Sequence, residues 1–264
     1  MSDKPCALVL SAHADDCEFF AGGLVAKLIE EGFGVVEVIA TDNSLGSFEL
    51  DKKTLVSQSR DVEARKAAEV LGKADVNFLG HPDGYLDEYP KNKLRGVYVE
   101  YIRRLMPQIL ITFDPFAPFE EHPDHRQVAV AAHEAVSFSQ MPLYYPEQLD
   151  AGLMTHLVSE RYYFAKAPVH ANKVVDITPQ IDKKIESLCA HESQMRMMIQ
   201  DFKLCFEATG RHPELADGLD PDNYRPLLEM MIRAWAQSTA ANEDFEYGEA
   251  FRYDYPGEIV DRLT

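Results

Sequence analysis

Apolar and polar positions come in blocks along the first 140 residues, and the period switches from block to block. Ala7–Ser11 is a short, mostly apolar run, the pattern of a strand buried on both faces. Phe19–Glu31 then places Leu24, Val25, Leu28 and Ile29 at helical spacing and ends at Gly32, a favoured residue just past a helix C-terminus. Val35–Ala40 is a second strand, Ser57–Leu71 a helix closed by Gly72, and Val76–Leu79 a third strand. Tyr98–Leu105 is helical up to Pro107, Ile109–Phe113 is a fourth strand, and His125–Val136 returns to helical spacing. This alternation predicts an α/β fold, a Rossmann-like, mostly parallel sheet with helices on both faces.

The second half is less regular. Arg161–Ala165 and Lys173–Ile177 read as strands. Thr178 is placed as an N-cap, with Pro179 at the first helical position, for a helix to about Gln200. Residues 209–225 read as a surface loop, and Leu227–Ala241 as a last amphipathic helix. With no repeat or linker in view, residues 1–264 are expected to form a single domain.

Composition sharpens the class. The 264 residues are 46% hydrophobic and 27% charged, an ordinary globular balance. Forty-four acidic residues against 26 basic ones leave a net charge of −18. Such a surface repels phosphate backbones and anionic lipid, so neither nucleic acid nor a membrane is an expected partner. No run approaches the roughly 18 apolar residues that span a bilayer. The stretch Cys6–Ala12 lacks the basic flank and cleavage site of a signal peptide. Cys6, Cys17, Cys189 and Cys205 form no C-x-x-C pair and are read as reduced thiols of a cytoplasmic protein.

Chemistry concentrates in two places. His13-Ala14-Asp15-Asp16 directly follows the first strand, where an open parallel sheet places its ligands. His13 and Asp16 are spaced to share one divalent ion, imidazole and carboxylate suiting zinc. Asp15 is then left over as a natural general base beside metal-activated water. Taken alone, these residues equally suit a loop start and a helix cap. His122-Pro123-Asp124-His125 ends the fourth strand in the same way, offering a third ligand and a supporting partner. Three ligands and an open fourth position are the count of a catalytic zinc site. The histidines His81, His133, His156, His170 and His212 have no spaced partner and are read as structural.

The residues His13–Glu18 resemble the H-P-D-D-E motif of the PIG-L/LmbE-like metal-dependent N-deacetylases, and His122–Arg126 that family's H-P-D-H motif. Arg60-x-x-Glu63 with Ala67-Ala68 and Leu71-Gly72, the turn Leu79–Gly84, and weaker patterns around Lys184–Gln194 and Glu249–Arg252 follow in the family's order. The resemblance implies His13, Asp16 and His125 as ligands of Zn2+, or of another divalent ion such as Fe2+ or Co2+. It implies Asp15 as the general base and then the acid that protonates the leaving amine. His122 would sit near the oxyanion, with Asp124 tuning its charge and orientation. Arg60 and Asp87 would bind substrate, a small-molecule N-acylated amine or sugar, and homo-oligomers are implied as well. Ala14 and Cys17 stand where the family commonly has proline and an acidic residue, and the loop 42–48 departs from its frequent G-E-x-G. Two other functions fit the residues: a metallohydrolase of another bond, such as a phosphoester, and a non-catalytic small-molecule-binding member of the fold. Few lysines and arginines near the clusters weigh against phosphate chemistry.

Overall fold

The computed structural model describes residues 4–210, 213–261 and 263. His212 lies outside them. Seven strands form one sheet: β1 (Cys6–Ser11), β2 (Gly34–Thr41), β3 (Asp75–His81), β4 (Ile109–Phe113), β5 (Glu160–Phe164), β6 (Lys173–Asp176) and β7 (Gly248–Asp254). Their order is β3-β2-β1-β4-β5-β7-β6. The pairs β1–β2, β1–β4, β2–β3 and β4–β5 are parallel, whereas β7 runs antiparallel to both β5 and β6. The mostly parallel α/β reading therefore holds, with an antiparallel edge supplied by a strand that the sequence pattern did not announce.

The α-helices are α1 (Asp16–Glu30), α2 (Lys52–Ser57), α3 (Ala64–Leu71), α4 (Lys91–Leu105), α5 (Pro123–Ser139), α6 (Pro146–Asp150), α7 (Ile181–Cys189), α8 (Glu192–Thr209), α9 (Pro213–Gly218), α10 (Arg225–Thr239) and α11 (Glu258–Asp261). A π-helical stretch, Gln58–Glu63, joins α2 to α3. Helices α1, α3 and α7 pack on one another, and α4 packs on α5. Among the described residues no helix is long and apolar enough to cross a membrane.

Three expectations for the second half change. The long helix is broken at Ala190–His191 because Glu63, from the π-helical stretch, accepts both the backbone N–H and the hydroxyl of Ser193. Thr178 is not an N-cap; its hydroxyl accepts the N–H groups of Glu246 and Tyr247 and so ties the start of β7 to this corner. Pro213–Gly218 is a short helix inside the expected loop.

Strands β1 and β4 are buried along nearly their whole length, which explains their unbroken apolar runs. The chain steps outward from β1 to β2 and β3 on one side, then to β4 and β5 on the other. β1 and β4 therefore flank the point where strand order reverses, and ligands of open α/β sheets bind at the carboxyl ends there. The β1–α1 turn and the β4–α5 loop both open into that crevice.

Candidate metal centre

The β1–α1 turn is closed by the first residue of α1. Asp16 Oδ2 accepts the backbone N–H of Ala12 at 3.0 Å and of His13 at 2.7 Å. Asn43, from the loop after β2, accepts the Ala14 N–H, so an amide partner braces the turn at the residue where the family commonly has proline. With Oδ2 committed, Asp16 Oδ1 faces His125 Nε2 at 3.4 Å.

His125 arrives from the other side, in the first turn of α5. His122 is the N-cap of that helix, its Nδ1 accepting the Asp124 N–H, and Pro123 opens the helix. The His125 ring stacks on Phe113 at the end of β4, centroids 4.2 Å apart. Its Nε2 then lies 3.1 Å from His13 Nδ1, while His13 Nδ1 is 3.7 Å from Asp16. Ligands held tetrahedrally at 2.0–2.1 Å from zinc stand about 3.3 Å from one another. The two separations that share His125 Nε2, 3.1 Å to His13 Nδ1 and 3.4 Å to Asp16 Oδ1, lie close to that value, whereas the 3.7 Å from His13 Nδ1 is to the committed Asp16 Oδ2. The donor set thus fits a divalent ion. His122 gathers with His13 and His125, and also with His13, Asp83 and Asp124, closely enough to hold an ion, its ring centroid 4.6 Å from those of His13 and His125.

The far nitrogen of His13 is held as well. Its Nε2 lies 3.2 Å from Asp83 Oδ1 and 3.3 Å from Asp124 Oδ2, an arrangement that fixes which ring nitrogen faces an ion. Asp124 is fully buried and also accepts the N–H groups of Gly84 and Leu86. Its carboxylate is therefore bonded to His13 and to the β3–α4 turn, within 4.8 Å of a His122 ring nitrogen, and its charge opposes the lowering of the His122 pKa by burial. Asp83 likewise accepts the Leu45 N–H, joining His13 to the loop after β2. In the sequence Asp83 reads as a turn residue before Gly84, and nothing local marks its reach to His13.

The electrostatics agree with the geometry. Burial, opposed by His13 and reinforced by Asp15, pushes the Asp16 carboxyl up to about 7. Burial also raises Asp15, against the charges of His191 and His13. Burial, opposed by Glu120 and assisted by His13, presses His125 down to about 4. His13 is raised despite burial because Asp124 and Asp83 accept from it. Buried carboxylates without a fixed cation favour a bound divalent one.

Asp15, Asp16, His13, His122 and His125 line a cleft of about 470 Å³ together with Phe19, Phe20, Asn43, Leu45, Lys166, Gln194 and Met197. Arg60 and Asp87 are not brought to it. Arg60 pairs with its neighbour Asp61 and lies over the Phe78 ring, and Asp87 is exposed on a 3-10 turn.

The model of the PIG-L family, GlcNAc-PI de-N-acetylase, matches residues 8–136. Diacetylchitobiose deacetylase of Thermococcus kodakarensis is 33% identical over 196 residues, covering 73% of this chain and 71% of the relative. The chain belongs to the PIG-L family of deacetylases. The matched span contains both site-forming loops of this PIG-L protein. N,N'-diacetylchitobiose deacetylase from Pyrococcus horikoshii, solved with its inhibitor MPG, superposes with a TM-score of 0.77 at 27% identity, covering 98% of this chain and 86% of that one. The fold is also shared by 4-carboxy-2-hydroxymuconate hydratase from Pseudomonas putida, at TM-score 0.65 and 20% identity, over 96% of this chain and 97% of that one. A common fold hosting a hydratase leaves the reaction to be argued from side chains.

Proposed function

We propose that this PIG-L protein is a zinc-dependent hydrolase that removes the acetyl group from an N-acetylated amino sugar. The observation that supports it is the convergence of His13 Nδ1 and Asp16 Oδ1 on His125 Nε2, at 3.1 and 3.4 Å, with a further carboxylate, Asp15, lining the same cleft. The relatives named as diacetylchitobiose deacetylases support the choice of bond.

When bound, the ion supplies Lewis acidity toward the amide oxygen and makes water acidic enough to ionise near pH 7. Asp15 takes the proton from the attacking water. As the C–N bond breaks, Asp15 returns that proton to the leaving nitrogen, so that acetate and a free amine result. His122 faces the carbonyl oxygen and stabilises the charge that gathers there. Asp83 and Asp124 keep His13 Nε2 engaged, leaving Nδ1 to the ion. No substrate contact is assigned to Arg60 or Asp87.

The test is release of primary amine from N,N'-diacetylchitobiose and N-acetylglucosamine by the zinc-loaded protein, together with its metal content. Asp15→Asn should retain one zinc and lose about 10²- to 10⁴-fold in kcat. Near-normal turnover by that variant, or no amine from either sugar, would overturn this reading.

A further inference from the structure

The two histidines of the centre are supported differently. His13 has two carboxylates on its far nitrogen. His125 has one charged neighbour there, Glu120, whose Oε2 lies 3.2 Å from Nδ1. That buried nitrogen takes no aligned hydrogen bond among the described residues, so Glu120 is the group available to satisfy it. The other oxygen of Glu120 accepts the His122 N–H at 2.9 Å and lies 3.1 Å from Lys166 Nζ. One carboxylate thus touches both histidines of the β4–α5 loop and a lysine from the segment after β5. The Glu120 side chain is 9% exposed although its neighbours Phe119 and Glu121 point into solvent. Phe119 has φ +63°, a conformation that an aromatic residue rarely adopts, and this turn precedes the residue whose side chain points inward.

Resting on the metal reading above, we propose that Glu120 is the positioning residue for His125, and that Lys166 holds Glu120 in place. The Glu120 carboxylate accepts the Nδ1 proton, which fixes the tautomer whose bare Nε2 faces the ion. Lys166 pulls on the opposite oxygen and prevents the carboxylate from swinging out to solvent. The two ligand histidines then present opposite nitrogens, Nδ1 of His13 and Nε2 of His125, each braced from behind by a carboxylate.

Removing such a support costs about 10- to 100-fold in metal affinity. Zinc dissociation constants, measured by competition with a chromophoric chelator, are therefore the primary readout, with the absorption spectrum of the cobalt-loaded protein beside them. Glu120→Ala should weaken zinc by that factor and alter the cobalt spectrum. Glu120→Gln, which keeps an acceptor but not the charge, should fall between it and the parent protein. Lys166→Met should shift affinity in the same direction by less, and the neighbouring exposed Glu121→Ala should leave it unchanged. Should Glu120→Ala fail to fold, Glu120→Gln and Lys166→Met carry the test. Parent-like affinity in both Glu120 variants, or in Glu120→Gln and Lys166→Met when Glu120→Ala does not fold, overturns the proposal while leaving the metal reading intact. Failure of the parent protein to bind zinc overturns the metal reading itself.

Discussion

Two buried groups of charged residues sit within a few residues of each other on α1, and they are balanced in opposite ways. Below the cleft, Glu18 and Glu37 share one amine: Lys73 Nζ lies 2.5 Å from Glu18 and 2.6 Å from Glu37, and all three side chains are 1% exposed. Ser11 donates to the second oxygen of Glu37. Although burial opposes it, Lys73 and His191 hold the Glu18 carboxyl down to about 2. At the centre, Asp16, Asp83 and Asp124 face histidines, and among the described residues no lysine or arginine pairs with them. One group carries its counter-charge within the chain. The other has only imidazoles, which carry charge only when protonated, to face its carboxylates. The lesson is that burial of a carboxylate is not itself the mark of a site; burial among converging imidazoles with no fixed cation is.

The largest effect should come from breaking the balanced group. Lys73→Met leaves two carboxylates buried without their shared lysine, and removing one member of a buried pair costs about 3–5 kcal/mol. Urea unfolding should record a loss of that size, whether or not zinc is present. A triple variant, Lys73→Met with Glu18→Gln and Glu37→Gln, should recover much of it, since buried ion pairs are often replaceable by neutral groups of similar shape. A Lys73→Met protein as stable as the parent would show that the amine does not balance the pair.

The opposite response is expected of the cleft. Chelator-treated protein should unfold normally but gain stability as zinc is added, by about 2.7 kcal/mol at a free concentration 100 times Kd. His125→Ala should lose that gain while its chelator-treated form unfolds close to the parent's. A midpoint indifferent to zinc in the parent would remove the contrast between the two groups.

The same contrast explains what was legible in the sequence. His13, Asp16, His122 and His125 sit in two short segments, each closing an apolar strand, so local pattern alone locates them. Strands β1 and β4 are legible for the same reason: a strand buried on both faces leaves an unbroken apolar run. The supports are not local. Asp83 comes from the turn after β3, Lys166 from the segment after β5, and Lys73 from the end of α3; each looks in sequence like an ordinary turn or surface residue. Arg60 and Asp87 show the converse. Family resemblance nominates them, but the Arg60 side chain lies over Phe78 and Asp87 faces solvent. Strand β7 escaped because Gly248–Asp254, inserted antiparallel between β5 and β6, mixes charged and apolar residues, and because Glu249, which anchors it by accepting from Gly23, Leu24 and Lys184, draws its partners from distant segments.

The smallest effect concerns the backbone that delivers Glu120. The β1–α1 turn is held by local hydrogen bonds and has no residue at positive φ between Ser11 and Asp16, whereas the longer β4–α5 loop holds Phe119 at φ +63° with its ring 89% exposed. A non-glycine residue in that region costs about 1–3 kcal/mol, and the exposed ring offers little burial in return. Phe119→Gly removes that strain but enlarges the entropy of the unfolded chain, an opposing term of about 0.5–1 kcal/mol. The net expectation is a stability change of about 0–2.5 kcal/mol toward the folded state, with zinc affinity kept. If the loop instead relied on the Phe119 side chain to aim Glu120, the glycine variant would lose zinc affinity as Glu120→Ala does. Measuring both quantities on one variant therefore separates strain that merely accompanies the inward turn from a side chain that enforces it.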